Sequence, residues 1–72
     1  IEQDGPPARA ALAYHRLGKI HERLGNHAAA QIAYQEAIRR WEKLSHELPD
    51  HHDYLHQLHD GRQRMQSLRA PK

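Results

Sequence analysis

Apolar residues recur every three or four positions along three stretches of the chain, which is the spacing of one face of a helix. Gly25 is expected to end the first helix, because glycine adopts the left-handed C′ conformation at little cost. Asn26 is suited to cap the helix that follows. The pattern therefore predicts a helix over about residues 6–24, then a tight turn. The apolar face of this helix comprises Ala10, Ala13, Tyr14, Leu17, Ile20, His21 and Leu24.

A second helix is predicted over about residues 27–47 and a third over about residues 51–68. Pro49 separates them, since proline disfavours helical geometry in the residue before it. No stretch alternates with the period of a strand, so the sequence predicts an all-α fold, an antiparallel helical hairpin followed by a third C-terminal helix. Residues 1–5 are expected to be a flexible lead-in, and residues 70–72 a frayed tail.

Small and large residues alternate along the two hairpin stripes, which is typical of helices that pack closely. Gly18 and the alanines of the second helix leave room where the helices cross. The predicted core comprises Tyr14, Leu17, Gly18, His21, Leu24, Ala30, Tyr34, Ala37, Trp41, Leu44, Leu55 and Leu58. Within the third helix, Gly61 is expected to cost about 0.5–1 kcal/mol relative to alanine.

One run of the sequence has the spacing of a known repeat signature. It comprises Tyr14, Leu17, Gly18, His21, Ala30, Tyr34 and Ala37. This run resembles the tetratricopeptide repeat, with His21 in place of the usual tyrosine. The resemblance covers one complete repeat, about residues 11–44. The third helix resembles the start of another repeat, but Gln66 occupies the position that corresponds to the small Gly18. It is therefore similar to a capping helix or to a degenerate repeat at the end of an array.

The resemblance implies a protein-interaction or scaffold module, since such repeats bind peptides on the face of their first helices. The corresponding positions are Leu12, His15, Lys19, Glu22 and Arg23. Lys19 and Arg23 are four residues apart and share a helix face. They are suited to hold an acidic peptide through charge-assisted hydrogen bonds. The alternative is an ordinary solvated face.

A single repeat leaves apolar surface unpaired, because arrays of this kind normally need about three repeats. The sequence therefore favours a homo-oligomer or a place in a longer array, besides a protein or peptide partner. Tyr34 and Trp41 are candidates for the self-association interface, since aromatic residues dominate such contacts.

The 72 residues carry eight histidines, no cysteine and a formal charge of +2. His52, His56 and His59 lie three and four apart, which makes a histidine-rich metal-binding helix a weak alternative. We expect no cofactor, because these histidines lack the outer-shell partners of tuned metal sites. His21 lies on the apolar stripe, and its protonation is a candidate source of pH sensitivity.

Other functional classes have weaker support in the sequence. The basic C-terminal helix, with Arg62, Arg64, Arg69 and Lys72, leaves nucleic-acid binding as an alternative, although acidic residues precede this cluster. Ser45 and Ser67 have no local triad partners, so we expect no enzyme and no catalytic residue. No apolar run approaches the roughly 18 residues of a membrane span. We expect a cytoplasmic protein, although the lack of a signal peptide means little, because the sequence begins with Ile1 rather than Met and is compatible with a fragment.

Overall fold

Three helices follow one another in the computed structural model, which describes residues 6–69. They are α1 (Pro6–Arg23), α2 (His27–Glu47) and α3 (His52–Arg69). No strand occurs within these residues, which confirms the predicted all-α fold. None of the three helices is both long and apolar enough to cross a bilayer. The expected lead-in at 1–5 and tail at 70–72 lie outside the described residues.

The turn between α1 and α2 is built from hydrogen bonds that satisfy both helix ends. Gly25 has a φ of +78°, in the left-handed region that favours glycine. Its N–H donates to the Glu22 carbonyl at 3.1 Å, and the Asn26 N–H donates to the His21 carbonyl at 2.9 Å, the two bonds of a Schellman motif. The Asn26 side chain accepts from the Ala29 N–H at 3.3 Å. The chain therefore reverses within three residues and aligns α2 antiparallel to α1.

Small side chains bring α1 and α2 into close contact. A Cβ added at Gly18 would lie 2.7 Å from two ring carbons of Tyr34, so the ring occupies the space that any other residue would fill. Tyr34 is completely buried there. Alanines complete the contact on both helices, and those that are buried are Ala8, Ala11, Ala30, Ala33 and Ala37.

The core lies on a different face of α1 from the one predicted. Leu17 and Leu24 were expected in the core, but their side chains are 43% and 75% exposed. Tyr14 and His21 are only half-buried. The reason is that α1 turns its small residues toward α2, which places its larger aliphatic residues on the opposite side. On α3, Leu55 was also expected in the core but is 45% exposed, because Tyr54 and Leu58 are the side chains that α3 buries in the core.

The third helix packs mainly against α2 and completes the core. Tyr54 and Leu58 on α3 are buried against Trp41 and Leu44 on α2. Gly61 is the small residue at this crossing, since a Cβ there would lie 3.2 Å from Cγ1 of Ile38. From the sequence alone, this glycine was expected only to weaken the helix. The lack of a side chain at Gly61 leaves room for Ile38 where α3 meets α2.

Candidate partner-binding groove

An open groove of about 640 Å³ lies beside α1, with one side chain contributed by α3. It is lined by Arg16, Lys19, Ile20, Glu22, Arg23 and Arg64, which we call the basic groove. The helical spacing of three and four residues brings the α1 side chains to one face. Four of the six lining residues are cationic, so the groove favours anionic partners.

The cations of the basic groove differ in what they contact. Arg16, Lys19 and Arg23 are exposed, and none of them forms an ion pair with another residue in the range 6–69. Arg64 is engaged, because its Nε lies 3.0 Å from Oδ2 of Asp60. Its terminal nitrogen lies 3.6 Å from Oε1 of Glu22. Three of the four cations therefore remain available to a ligand.

Glu22 is held inside the fold by two neighbours. Besides its ion pair with Arg64, its Oε1 accepts a hydrogen bond from the Tyr34 hydroxyl at 2.7 Å. Burial and this hydrogen bond raise the pKa of Tyr34 above its ordinary value, so the phenol stays a donor. The carboxylate in the groove is thus partly neutralised, which lessens its repulsion of an incoming anion.

Beneath the basic groove, His15 joins all three helices. It is 1% exposed, its Nε2 lies 2.8 Å from Oδ2 of Asp60, and its Nδ1 accepts a hydrogen bond from Trp41 Nε1 at 3.2 Å. Since an indole nitrogen can only donate, Nδ1 must be unprotonated and Nε2 must carry the proton given to Asp60. Burial, the largest effect, lowers the pKa of His15, although Asp60 opposes this shift. The imidazole is therefore neutral and fixed in one tautomer.

Comparison with known protein families identifies the hairpin. Residues 11–40 match the family model of the tetratricopeptide repeat. This stretch of the α1–α2 hairpin is a tetratricopeptide repeat. No curated protein and no solved structure matches the chain at a significant level. Repeats of this family typically mediate protein–protein interactions. In this chain a third helix packs on the repeat.

The structure brings together only part of the predicted groove face of the repeat. Lys19, Glu22 and Arg23 line the basic groove as a group. His15 was expected to face a ligand, but it is buried because α3 covers it and Asp60 bonds to its ring. Leu12 packs instead against the core, beside a separate crevice lined by Trp41 and Tyr54.

Three residues of the groove, Arg16, Ile20 and Arg64, were not among the predicted site residues. Arg16 and Ile20 precede Lys19 and Arg23 by three residues each, so their helical spacing was a usable signal. Arg64 carried no such signal, since it arrives from α3 and its place depends on how that helix packs.

The two predicted self-association anchors, Tyr34 and Trp41, lie inside the folded protomer. Tyr34 is completely buried and Trp41 is 3% exposed. Trp41 packs against Tyr54 with ring centroids 5.7 Å apart, and Tyr34 fills the space beside Gly18. Because both rings are packed within one protomer, neither is exposed to a second copy.

The histidine-rich face of α3 does not assemble a metal centre. His52, His56 and His59 line a shallow surface groove with Leu55, Leu58 and Arg62. Across residues 6–69, no group of three or more metal-binding side chains converges on one point.

Two arginines of the proposed nucleic-acid surface are already engaged. Arg62 pairs with Glu42, and Arg64 pairs with Asp60 and Glu22. These contacts join α3 to the repeat and reduce the positive charge that α3 presents to a phosphate backbone. The side chain of Arg69 and the whole of Lys72 lie outside the described part of the chain.

Proposed function

We propose that this chain binds an acidic segment of a partner protein in the basic groove. The observation that carries the proposal is the exposure of Arg16, Lys19 and Arg23 around one groove, with no carboxylate from residues 6–69 paired to any of them. Unpaired cations on one face attract carboxylates and form charge-assisted hydrogen bonds with them.

The form of the groove also favours a peptide as its ligand. Ile20 gives the groove an apolar patch among its cations, so a partner side chain can be packed as well as paired. The groove is open along the surface of α1 and therefore suits an extended or helical segment of a protein. The tetratricopeptide repeat supports the same class of partner, since the family mediates protein–protein contacts.

The direct test measures binding of a fluorescently labelled peptide rich in aspartate and glutamate by anisotropy at low salt. The double substitution Lys19→Glu and Arg23→Glu is expected to weaken binding at least about tenfold, because attraction becomes repulsion. The matched control is Arg39→Glu with Lys43→Glu, which reverses two exposed cations at the same spacing on α2. This control changes the net charge by the same amount but leaves the groove intact.

The possible outcomes separate a site from a general charge effect. A larger loss of peptide affinity in the α1 variant than in the α2 control supports the basic groove, provided that the affinity of the unmodified chain falls as the salt concentration rises. Equal losses in both variants would mean that the peptide responds only to net charge, and the proposal would be wrong. Failure of the unmodified chain to bind acidic peptides at low salt would also overturn it.

A further inference from the structure

The face of α1 that points away from α2 carries an apolar heptad pattern. Leu17, Ile20 and Leu24 are 43%, 52% and 75% exposed there. Leu24 continues the helical turn, since its N–H donates to the Ile20 carbonyl at 3.1 Å. Together with two alanines they are spaced alternately by three and four residues, as at the a and d positions of a coiled coil. We call this row the outer seam, and its members are Ala10, Ala13, Leu17, Ile20 and Leu24.

One edge of the outer seam is uniformly basic. Arg9, Arg16 and Arg23 are seven residues apart, each directly before an a position, so they occupy successive g positions. All three are exposed, and no carboxylate within 6–69 pairs with them. The e positions on the other edge hold Tyr14 and His21, neither of which is an anion.

This charge pattern disfavours a second copy of α1 as the occupant. In an antiparallel pair of identical helices the g positions face each other, which would place arginine against arginine. In a parallel pair each g position faces an e position, where Tyr14 and His21 offer no negative charge. Charges at e and g decide which helices pair, so the seam selects a different helix.

Four of the seven carboxylates among residues 6–69 are engaged within the protomer, Glu22 by Arg64 and Tyr34 as described above. Glu36 pairs with Arg39 and Arg40, and Glu42 pairs with Arg62. Asp60 is bound by His15 and Arg64. The other three carboxylates of this range, Glu47, Asp50 and Asp53, lie where α2 ends and α3 begins, so they do not form a row spaced by seven residues that could face the arginine row of another protomer.

We propose that the outer seam docks an amphipathic helix of a partner protein, with apolar residues in its a and d positions and glutamates or aspartates facing Arg9, Arg16 and Arg23. This inference deepens the proposed function and rests on it, because Arg16, Ile20 and Arg23 belong both to the seam and to the basic groove. The acidic segment is thereby specified as a helix with a heptad pattern. Its leucines cover the exposed aliphatic side chains of α1 while its carboxylates pair with the arginine row.

The experiment compares two labelled peptides of about 18 residues and identical composition. The first has leucine at a and d and glutamate at e and g, and the second has the same residues shuffled so that no apolar stripe forms. We expect the heptad peptide to bind at least about tenfold more tightly than the shuffled peptide. Circular dichroism is expected to show a gain of helix when the heptad peptide and the protein are mixed.

The protein variant is Leu17→Gln with Leu24→Gln, and its control is Ile32→Gln with Leu55→Gln. All four leucine and isoleucine side chains are exposed, so both variants are expected to keep the thermal stability of the unmodified chain. The seam variant is expected to bind the heptad peptide no better than the shuffled one. The control is expected to bind both peptides as the unmodified chain does.

Three results would contradict the proposal in distinguishable ways. Equal binding of heptad and shuffled peptides would remove the helical seam but leave the acidic groove standing. A seam-dependent dimer by analytical ultracentrifugation, with no affinity for the heptad peptide, would assign the seam to a second copy. Loss of binding to every acidic peptide would overturn the seam and the proposed function together.

Discussion

His15 lies between the Trp41 indole, which can only donate a hydrogen bond, and the Asp60 carboxylate, which accepts one. Trp41 offers its indole N–H to Nδ1, and Asp60 accepts the proton on Nε2. A second proton on the imidazole would have to enter at Nδ1, where it would face the indole N–H and break that hydrogen bond. The positive charges of Lys19 and Arg64 also disfavour a cation at this position, since both lower the pKa of His15.

We expect the stability of the chain to fall in mild acid because of His15. Its native pKa lies below the ordinary value of 6.5, so the unfolded chain binds the proton first as the pH falls. The contribution of neutral His15 to the free energy of unfolding is fully present above about pH 7 and declines as the pH drops below about 6.5. The decline amounts to about 1.4 kcal/mol for each unit by which the native pKa lies below the unfolded pKa. Urea unfolding at about pH 8 and about pH 5.5 measures the decline.

His15→Gln is expected to reduce this difference between the two pH values, since glutamine can accept from Trp41 without titrating. The comparison variant is His21→Tyr, which removes the histidine that the sequence suggested as the sensor. His21 is half-buried, and its Nδ1 has no hydrogen-bond partner among residues 6–69. If His21→Tyr reduced the pH effect and His15→Gln did not, the assignment to His15 would be wrong.

Gly18→Ala is expected to destabilise the repeat by about 1–3 kcal/mol, the usual cost of overpacking a core. Its Cβ would lie 2.7 Å from the Tyr34 ring, whose hydroxyl is anchored to Glu22. Gly61→Ala is the matched control, because its Cβ would lie 3.2 Å from the flexible Ile38 side chain. Thermal melts of the two variants are the measurement. A smaller loss at Gly18 than at Gly61 would contradict this account of the crossing.

At the scale of the helices, the sequence was sufficient for the fold class but not for the face of α1 that is buried. The three helices follow from the 3.6-residue period, and the hairpin turn follows from Gly25 and Asn26. The face of α1 was missed because that helix has two apolar sides. Leu17 and Leu24 are more hydrophobic than Ala8 and Ala11, so hydrophobicity favoured the wrong side. Because α2 approaches α1 closely, the face of α1 that carries the small residues Ala8 and Ala11 is the one that is buried.

The sequence of one helix does not reveal which residues of another helix will pack against it, and this explains the differences between the predicted and observed site. His15 was expected at the surface because nothing in α1 reveals that Asp60, 45 residues later, will bond to it. Arg64 was missed for the same reason, since it enters the groove only through the packing of α3. Lys19 and Arg23 were found because their relation is local to one helix.

The turn between the helices gives a prediction at this scale. Gly25→Ala is expected to cost about 1–2 kcal/mol, because an alanine at a φ of +78° is strained even though no neighbouring atom obstructs it. Gly25→Asn is the control, since asparagine tolerates the left-handed region better than alanine. Chemical denaturation of both variants tests the order. An alanine variant as stable as the parent chain would contradict the role of the turn.

For the whole molecule, stability depends on a small core that few residues share. A domain of this size seldom has more than about 3–5 kcal/mol of stability from its core. No disulfide adds to it, because the sequence contains no cysteine. The contact of Tyr54 and Leu58 with Trp41 and Leu44 therefore carries much of the cohesion between α3 and the repeat.

Leu58→Ala is accordingly expected to cost about 2–5 kcal/mol, comparable with the total stability of the chain. A sharp fall in melting temperature, or loss of the cooperative transition, is the expected result in circular dichroism. Leu55→Ala is the matched control, since the same substitution three residues earlier affects a side chain that is 45% exposed. Equal effects of the two substitutions would show that α3 is not docked through the face described.

Trp41 is the single tryptophan of the chain, and its indole lies where all three helices meet. Its intrinsic fluorescence therefore reports, without any label, whether the three helices remain packed together. Detachment of α3 would admit water beside the ring and shift the emission to longer wavelength while the far-ultraviolet signal of the hairpin persists. Tryptophan emission and the far-ultraviolet circular dichroism signal of one sample can thus distinguish undocking of the third helix from melting of the repeat.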